Sequence, residues 1–191
     1  MSIEEPAYTV RHTDGKIEYR EYAAYLVAET LVEDAADFES AGNEGFRRLF
    51  RYISGDNRAQ AKVAMTAPVS QTAESEKIAM TAPVQQTGSE RGWRVAFTLP
   101  AGYTLETAPV PDDARISIIP QPPRLFAVLR YSGRWTESNY AASRDELLGL
   151  LSTAGINTRG EPQLARYNAP FVPPFMRRNE VLIEVDSLPA H

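Results

Sequence analysis

Hydrophobic and polar residues alternate along the first part of the chain, and this alternation predicts three β-strands. Residues 8–13 show the period of two that is typical of a half-buried strand. Asp14-Gly15, which follows directly, is a turn signal for a β-hairpin. We therefore expect the second arm of a hairpin at 16–22 and a more apolar third strand at 25–32.

Two later stretches carry apolar residues at helical spacing. The first begins after Asp37, whose carboxylate can cap a helix, and continues to about Ile53. The second begins at Thr136 or Ser138, two caps between which the pattern does not decide. It ends near Gly155, a residue type that is common just after a helix. The spacing predicts two amphipathic helices.

One segment of the chain occurs twice. Residues 62–69 read Lys-Val-Ala-Met-Thr-Ala-Pro-Val, and residues 77–84 read Lys-Ile-Ala-Met-Thr-Ala-Pro-Val. Two copies are too few for a solenoid. Each copy suits a short strand that its proline ends or confines to a sheet edge. We therefore expect an antiparallel pair of strands joined by the polar residues 70–76.

Further apolar or alternating segments complete the predicted sheet, at 93–99, 115–119, 124–131, 163–168 and 180–185. Each half of the chain then holds strands, one helix and a later Ala-Pro pair, at Ala67-Pro68 and at Ala169-Pro170. In a proline-rich chain this pair can also recur by chance. The pattern predicts an α+β fold built by internal duplication, with two helices lying across a curved sheet. Ligand clefts commonly form between such layers.

Composition narrows the class of protein. The 191 residues carry a net charge of −5 and include no cysteine. Disulfides are therefore excluded, and a basic face for nucleic acid is not expected. No apolar run is long enough to span a bilayer, and the acidic start lacks the apolar stretch of a secretory signal. We expect a cytoplasmic protein with no nucleic-acid partner and no membrane span, which is a monomer or a weak homo-oligomer.

The sequence contains no recognisable catalytic pattern. Its two histidines, His12 and His191, have no partner at metal-ligand spacing. A nucleophile elbow and a phosphate-binding glycine-rich loop are both absent, so we expect a binding protein and not an enzyme. Glu180 and Glu184 share one face of the last predicted strand. They are either solvated surface residues or pocket carboxylates that pair with a polar group of a ligand.

Apolar side chains in three segments are candidates for ligand contacts. On the first helix, Phe46, Leu49 and Phe50 either pack on the sheet or form an apolar patch. In the repeated segments, Met65 and Met80 either fill the core or line a pocket, because a thioether adapts to ring faces. The late proline-rich stretch adds Tyr167, Phe171, Phe175, Met176, Arg177 and Arg178. Aromatic rings beside guanidinium groups suit a small planar apolar ligand that carries carboxylates.

Five motifs, in order along nearly the whole chain, resemble those of the SOUL haem-binding protein family. They are Glu5-Pro6-x-Tyr8, Ile17-Glu18-Tyr19-Arg20-x-Tyr22, Gly45-Phe46 with Tyr52-Ile53-x-Gly55-x-Asn57, Met65-Thr66-Ala67-Pro68-Val69 and Arg177-Arg178-Asn179-Glu180-Val181. The resemblance implies a single domain over 1–191 with pseudo-repeats at about 16–100 and 115–186. It also implies a curved, mostly antiparallel sheet or distorted barrel with two flanking helices, similar to the gyrase-inhibitor-like effector-binding domains.

The same resemblance implies non-covalent binding of haem or a related tetrapyrrole near the first helix and the late proline-rich loop. The protein would then act as a carrier, buffer or sensor. Some relatives have a histidine proposed as an iron ligand where this chain has Glu21, and a carboxylate is a poor substitute for imidazole on haem iron. Haem would therefore be held by apolar contact, or ligated by Tyr167 or Met65. The alternative is an effector-binding module for a non-haem amphiphile.

Overall fold

The computed structural model describes residues 3–60 and 75–189, and these contain a nine-stranded antiparallel sheet. Its strands are β1 (Tyr8–Asp14), β2 (Ile17–Tyr22), β3 (Tyr25–Val32), β5 (Val84–Ser89), β6 (Gly92–Thr98), β8 (Ile116–Gln121), β9 (Arg124–Tyr131), β10 (Thr158–Arg166) and β11 (Asn179–Val185). A separate short pair is formed by β4 (Asn57–Arg58) and β7 (Val110–Pro111).

The strand order arranges the two halves of the chain about a pseudo-twofold axis. In space the order is β1-β2-β9-β11-β10-β5-β6-β3-β8. β10 and β5 pair at the centre. β2 crosses to pair with β9 of the second half, and β8 crosses to pair with β3 of the first half. The predicted duplicated antiparallel sheet is confirmed. Among the described residues β1 and β8 are its two edge strands and do not pair with each other, so the sheet does not close into a barrel. The boundaries of the pseudo-repeats stay a prediction.

Both predicted helices form. The first, α1 (Phe38–Ser54), begins at Asp37, whose carboxylate accepts the Ser40 backbone N–H at 2.7 Å. It ends at Gly55, which adopts a φ of 128° in the region that favours glycine. The second, α2 (Glu137–Thr153), is capped by Thr136. Within the ranges that the structure describes, no helix has the length and apolar character needed to cross a membrane.

Both helices cover the same face of the sheet. The first helix packs on β3 and β6, and the second packs on β9, β10 and β11. Gly45 of α1 approaches β6 so closely that a Cβ there would lie 2.4 Å from the Val95 side chain. The helices therefore seal one face. The opposite face carries a smaller cluster of tyrosines, apolar side chains and the buried charges of Arg20 and Glu180.

The repeated segment does not form the predicted pair of strands. Its first copy, 62–69, lies outside the described residues. The second copy, 77–84, is irregular until β5 begins at Val84. Its backbone is bonded to a distant segment, since the Ala82 N–H donates to the Glu4 carbonyl oxygen at 2.9 Å. The prediction of a strand over this copy was wrong because such a tertiary partner replaces the strand ladder.

Candidate ligand-binding site

An apolar pocket of about 400 Å³ opens between α1, the second repeated segment and the chain that leaves β10. Its volume lies in the range of small-molecule sites. The main side chains of its wall are Phe46, Phe50, Met80, Val84, Trp135 and Tyr167. This is the region, beside the first helix, where the sequence predicts a ligand.

Two phenylalanine rings form the helical side of the pocket. Phe46 and Phe50 lie one turn apart on α1 and therefore share a face. Their rings stack with centroids 5.8 Å apart and an interplanar angle of 13°. Phe46 is anchored edge-on against Phe97 of β6 at 5.3 Å, whereas Phe50 is 46% exposed. A rigid aromatic surface is thus presented to the pocket.

Leu49, predicted to act with these rings, does not reach the pocket. It is 0% exposed and lies in the core between α1 and the sheet. Because a helix has about 3.6 residues per turn, Leu49 faces the sheet while its neighbour Phe50 faces outward. Leu49 supports the helix from below, and the prediction that it contacts a ligand does not fit this structure.

The second repeated segment supplies the opposite wall of the pocket. Met80, Ala82 and Val84 line it, and the Met80 side chain is exposed. Met65, which occupies the matching position of the first copy, lies outside the described residues. The thioether that the structure places at the pocket is therefore that of Met80.

The aromatic side chains of the late proline-rich loop point away from the pocket. Phe171 is 87% exposed, and Phe175 and Met176 are exposed within a short 3₁₀ turn at Pro174–Met176. None of these three side chains lines the cavity. Their predicted role as ligand contacts is not supported, because all three side chains are exposed to solvent outside the pocket.

Arg177 holds the late proline-rich loop in its conformation. Its Nε donates to the Val172 carbonyl oxygen at 2.8 Å, and its Nη2 donates to that of Pro170 at 2.7 Å. Its guanidinium also lies 4.2 Å from the centre of the Trp135 ring. These contacts occupy the guanidinium, so Arg177 positions the loop and the tryptophan that borders the pocket.

Glu180 is the centre of a buried ion-pair network. Its carboxylate is 0% exposed and accepts hydrogen bonds from Arg20 at 2.8 and 3.1 Å, from Arg178 Nε at 2.9 Å and from the Tyr167 hydroxyl at 2.7 Å. Burial alone would raise the pKa of Glu180, but these donors favour the charged form and hold the pKa below its usual value. Glu180 is therefore neither solvated nor free to bind a ligand, and Arg178 is committed to it.

The same network argues against Tyr167 as an iron ligand. Burial, together with the negative charge of Glu180, raises the pKa of the Tyr167 hydroxyl far above its usual value. Haem iron binds tyrosine as the phenolate, which this environment disfavours. Tyr167 borders the pocket, but its hydroxyl is committed to Glu180.

Three of the family-like motifs meet at this network. Arg178 pairs with Glu5 at 2.9 and 3.1 Å, and the Arg20 guanidinium lies 4.6 Å from the centre of the Tyr8 ring. The motifs around 5–8, 17–22 and 177–181 are therefore joined by one set of contacts. In this structure those contacts maintain the fold.

Glu184 lines a second cavity, of about 200 Å³, on the sheet face opposite the helices. Its carboxylate accepts a hydrogen bond from Arg124 at 3.2 Å. Glu29 lines the same cavity and has no ion pair within the described residues. Burial raises the pKa of Glu29, although the nearby Arg94 opposes this shift. The cavity is mostly polar and is separate from the apolar pocket.

Trp135 and Arg166 border the apolar pocket but were not predicted from the sequence. Trp135 follows a glycine turn, where a single aromatic residue gives no pattern. Arg166, in contrast, could have been predicted from the strand pattern. It lies two residues after the buried Leu164 on β10, so alternation places a charged residue on the core face of the sheet.

The lining of the pocket is mostly aromatic and aliphatic. Within 3–60 and 75–189, no group of three His, Cys, Asp or Glu side chains is arranged to hold a metal. A flat macrocycle would lie against the Phe46 and Phe50 rings. Met80 would offer a thioether sulfur, which is a side-chain group able to bind haem iron.

The fold defines an α+β domain in which two helices cover one face of an open antiparallel sheet, with an apolar pocket beside the first helix. The EcmrR C-terminal domain has this fold, with a TM-score of 0.62 at 11% identity over 95% of this chain and 99% of that chain. An uncharacterized conserved protein from Listeria innocua matches with a TM-score of 0.58 at 11% identity, over 90% of this chain and 92% of that chain. At such low identity the likeness shows the fold alone.

The chain belongs to the SOUL haem-binding protein family, whose model, "SOUL heme-binding protein", matches residues 3–184. Heme-binding protein 1 of Xenopus tropicalis is 28% identical over 167 residues, which cover 86% of this chain and 80% of that protein. The resemblance predicted from the motifs is confirmed, and haem binding is supported at the level of the family.

Proposed function

We propose that this protein binds haem or a related tetrapyrrole non-covalently in the apolar pocket beside α1. The observation that carries the proposal is the stacked pair Phe46 and Phe50, which lines an apolar pocket together with Met80 in a chain of the SOUL family. A flat ring placed there would remove apolar surface from water on both sides, at about 25 cal/mol per Å².

The side chains around the pocket favour a reversible carrier or buffer. Among the residues that the structure describes, no histidine lines the pocket. The side chain available to ligate haem iron is then the Met80 thioether. Because this is a weaker ligand than imidazole, apolar contact would supply most of the free energy of haem binding. The proposal includes no catalytic step, and it places the protein in the cytoplasm as a monomer or weak homo-oligomer.

Titration with haem, followed by the Soret band, tests this proposal. We expect a saturable spectral change in the wild type, and an affinity lower by about tenfold or more in Phe46→Ala/Phe50→Ala. The matched control is Phe171→Ala/Phe175→Ala, which removes two exposed rings outside the pocket. Absence of saturation, or an equal loss in the control, would refute haem binding at this site.

A second candidate function is effector binding of a non-haem amphiphile. The Glu29 carboxylate favours it, because it forms no ion pair within 3–60 and 75–189. It lies beside Tyr25 and Phe126 in the polar cavity, where it could accept a cationic head group. Dodecyltrimethylammonium would then raise the melting temperature more than haem does, and Glu29→Gln would abolish the rise. A larger rise with haem, unaffected by Glu29→Gln, would exclude this alternative.

A further inference from the structure

Arg166, the last residue of β10, lies where the apolar pocket meets a second recess of about 390 Å³. Both cavities share Arg166, Trp135 and Asn43 as lining residues. The Arg166 guanidinium lies over two aromatic rings, 5.9 Å from the centre of Phe38 and 5.3 Å from that of Trp135. These cation–π contacts help to fix its position.

No carboxylate of the described residues forms an ion pair with Arg166, although burial makes its charge costly. Its Nη2 donates to the Gln86 amide oxygen at 2.7 Å, while its Nε is buried without a hydrogen-bond partner. Burial lowers the pKa of Arg166 to about 10, and the more distant charge of Glu39 only partly opposes this. The buried Arg20, in contrast, has the carboxylate of Glu180. A partly buried cation whose charge is not balanced by a neighbouring carboxylate is expensive for a fold to keep unless an anion joins it.

The first helix is shaped to leave room for this guanidinium. Gly42 lies in the interior of α1, where glycine weakens a helix. A Cβ at this position would lie 2.6 Å from Gln86 Oε1 and 3.0 Å from Arg166 Nη2. Gln86 is itself buried and donates to the Phe38 carbonyl oxygen at 2.8 Å. The absence of a side chain at Gly42 therefore keeps the Gln86–Arg166 pair against the helix.

The recess beside Arg166 is cationic. Arg134, Arg166 and Arg177 line it, and Glu39 is its one acidic lining residue. The apolar pocket and this recess together form a site with one apolar end and one positively charged end. A planar acid would place its ring against Phe46 and Phe50 and its carboxylates in the recess.

We propose that Arg166 is the residue that binds the carboxylates of the ligand, and that the ligand class is therefore a planar apolar carboxylic acid. This inference rests on the proposed function and specifies its chemistry. The inference assigns binding of the ligand's carboxylates to Arg166 of β10. It replaces the predicted Arg177 and Arg178, whose guanidinium groups already form hydrogen bonds within the protein.

The test compares protoporphyrin IX with its dimethyl ester by fluorescence titration in the same detergent-containing buffer. Both lack iron, so ligation by Met80 does not contribute. We expect the wild type to bind the free acid about tenfold more tightly than the ester. Arg166→Gln should weaken binding of the acid alone and abolish this preference. Arg47→Gln, which removes the same charge from an exposed site on α1 outside both cavities, should retain it.

The possible outcomes are distinguishable. Equal affinity of the wild type for acid and ester overturns the inference and leaves the proposed function standing, and this comparison needs no variant to fold. Equal weakening of both ligands by Arg166→Gln also overturns it, since it indicates damage to the apolar wall. If neither porphyrin binds the wild type, the proposed function and the inference fail together.

Discussion

Arg20 and Glu180 lie far apart in the sequence, yet their side chains form a doubly hydrogen-bonded ion pair at 2.8 and 3.1 Å. The strand order explains the pairing, because β2 and β11 both flank β9. Arg178 and the Tyr167 hydroxyl complete the contacts of the carboxylate. Residues of the family motifs therefore stabilise the fold in this structure.

Glu180→Gln should lower the free energy of unfolding by about 3–5 kcal/mol, because it removes the buried counterion of Arg20 and leaves that guanidinium only the partly exposed carboxylate of Glu18. Urea unfolding followed by tryptophan fluorescence measures this loss. The matched control is Glu184→Gln on the same strand, whose pair with Arg124 is partly exposed and should contribute less than about 1 kcal/mol. Equal effects of the two substitutions would contradict a special role for Glu180.

The stabilisation by Glu180 should depend on pH. The folded-state pKa of this carboxyl is lower than the ordinary value of 4.5. Its contribution is therefore complete above the pKa of the unfolded chain and is lost as the pH falls through the folded pKa. The difference in unfolding free energy between the wild type and Glu180→Gln should shrink below about pH 4.5. A difference that stays constant as the carboxyl is protonated would count against this account.

Tyr167→Phe should lower the stability of the fold without changing the spectrum of bound haem. Loss of the hydroxyl removes one donor to the buried Glu180, which should cost about 1–3 kcal/mol of unfolding free energy. The Soret position of bound haem should not change, because the Tyr167 hydroxyl is not available to iron. Met80→Leu is the comparison variant, since it removes the exposed thioether of the pocket. A Soret shift in Tyr167→Phe but not in Met80→Leu would show that our interpretation is wrong.

Gly42→Ala should destabilise the protein even though alanine is the better helix former. The added methyl group would displace the Gln86 side chain and its bond to Arg166. Gly149→Ala in α2 is the matched control, because a Cβ there meets nothing within 4 Å, and it should stabilise by about 0.5–1 kcal/mol. Thermal unfolding of both variants checks the prediction. A gain in stability for Gly42→Ala equal to that of Gly149→Ala would mean that the space at Gly42 is not needed.

The elements of the fold could largely be predicted from local patterns. Asp37 begins α1 as expected, and the helix ends within a residue of the predicted Ile53, because capping and helical periodicity depend on near neighbours in the chain. Alternation located most strands for the same reason, although β10 begins earlier than predicted, at Thr158. The duplicated half-domains were visible in the order of the elements. The repeated segment at 77–84 was not predictable in this way, since its backbone partners come from distant parts of the chain.

The ligand site depended on tertiary structure. Periodicity shows that Phe46, Leu49 and Phe50 lie on α1, but the position of the sheet decides that Leu49 is buried and that the two rings face a pocket. Composition shows many arginines, but only their neighbours in space decide which of them stabilise the fold. The same neighbours leave Arg166 with no carboxylate partner in the part of the chain that the structure describes. The sequence by itself determined the secondary-structure elements and the family. The packing of the two halves decided the chemistry of the site, because burial and charge pairing arise between segments that are far apart in the chain.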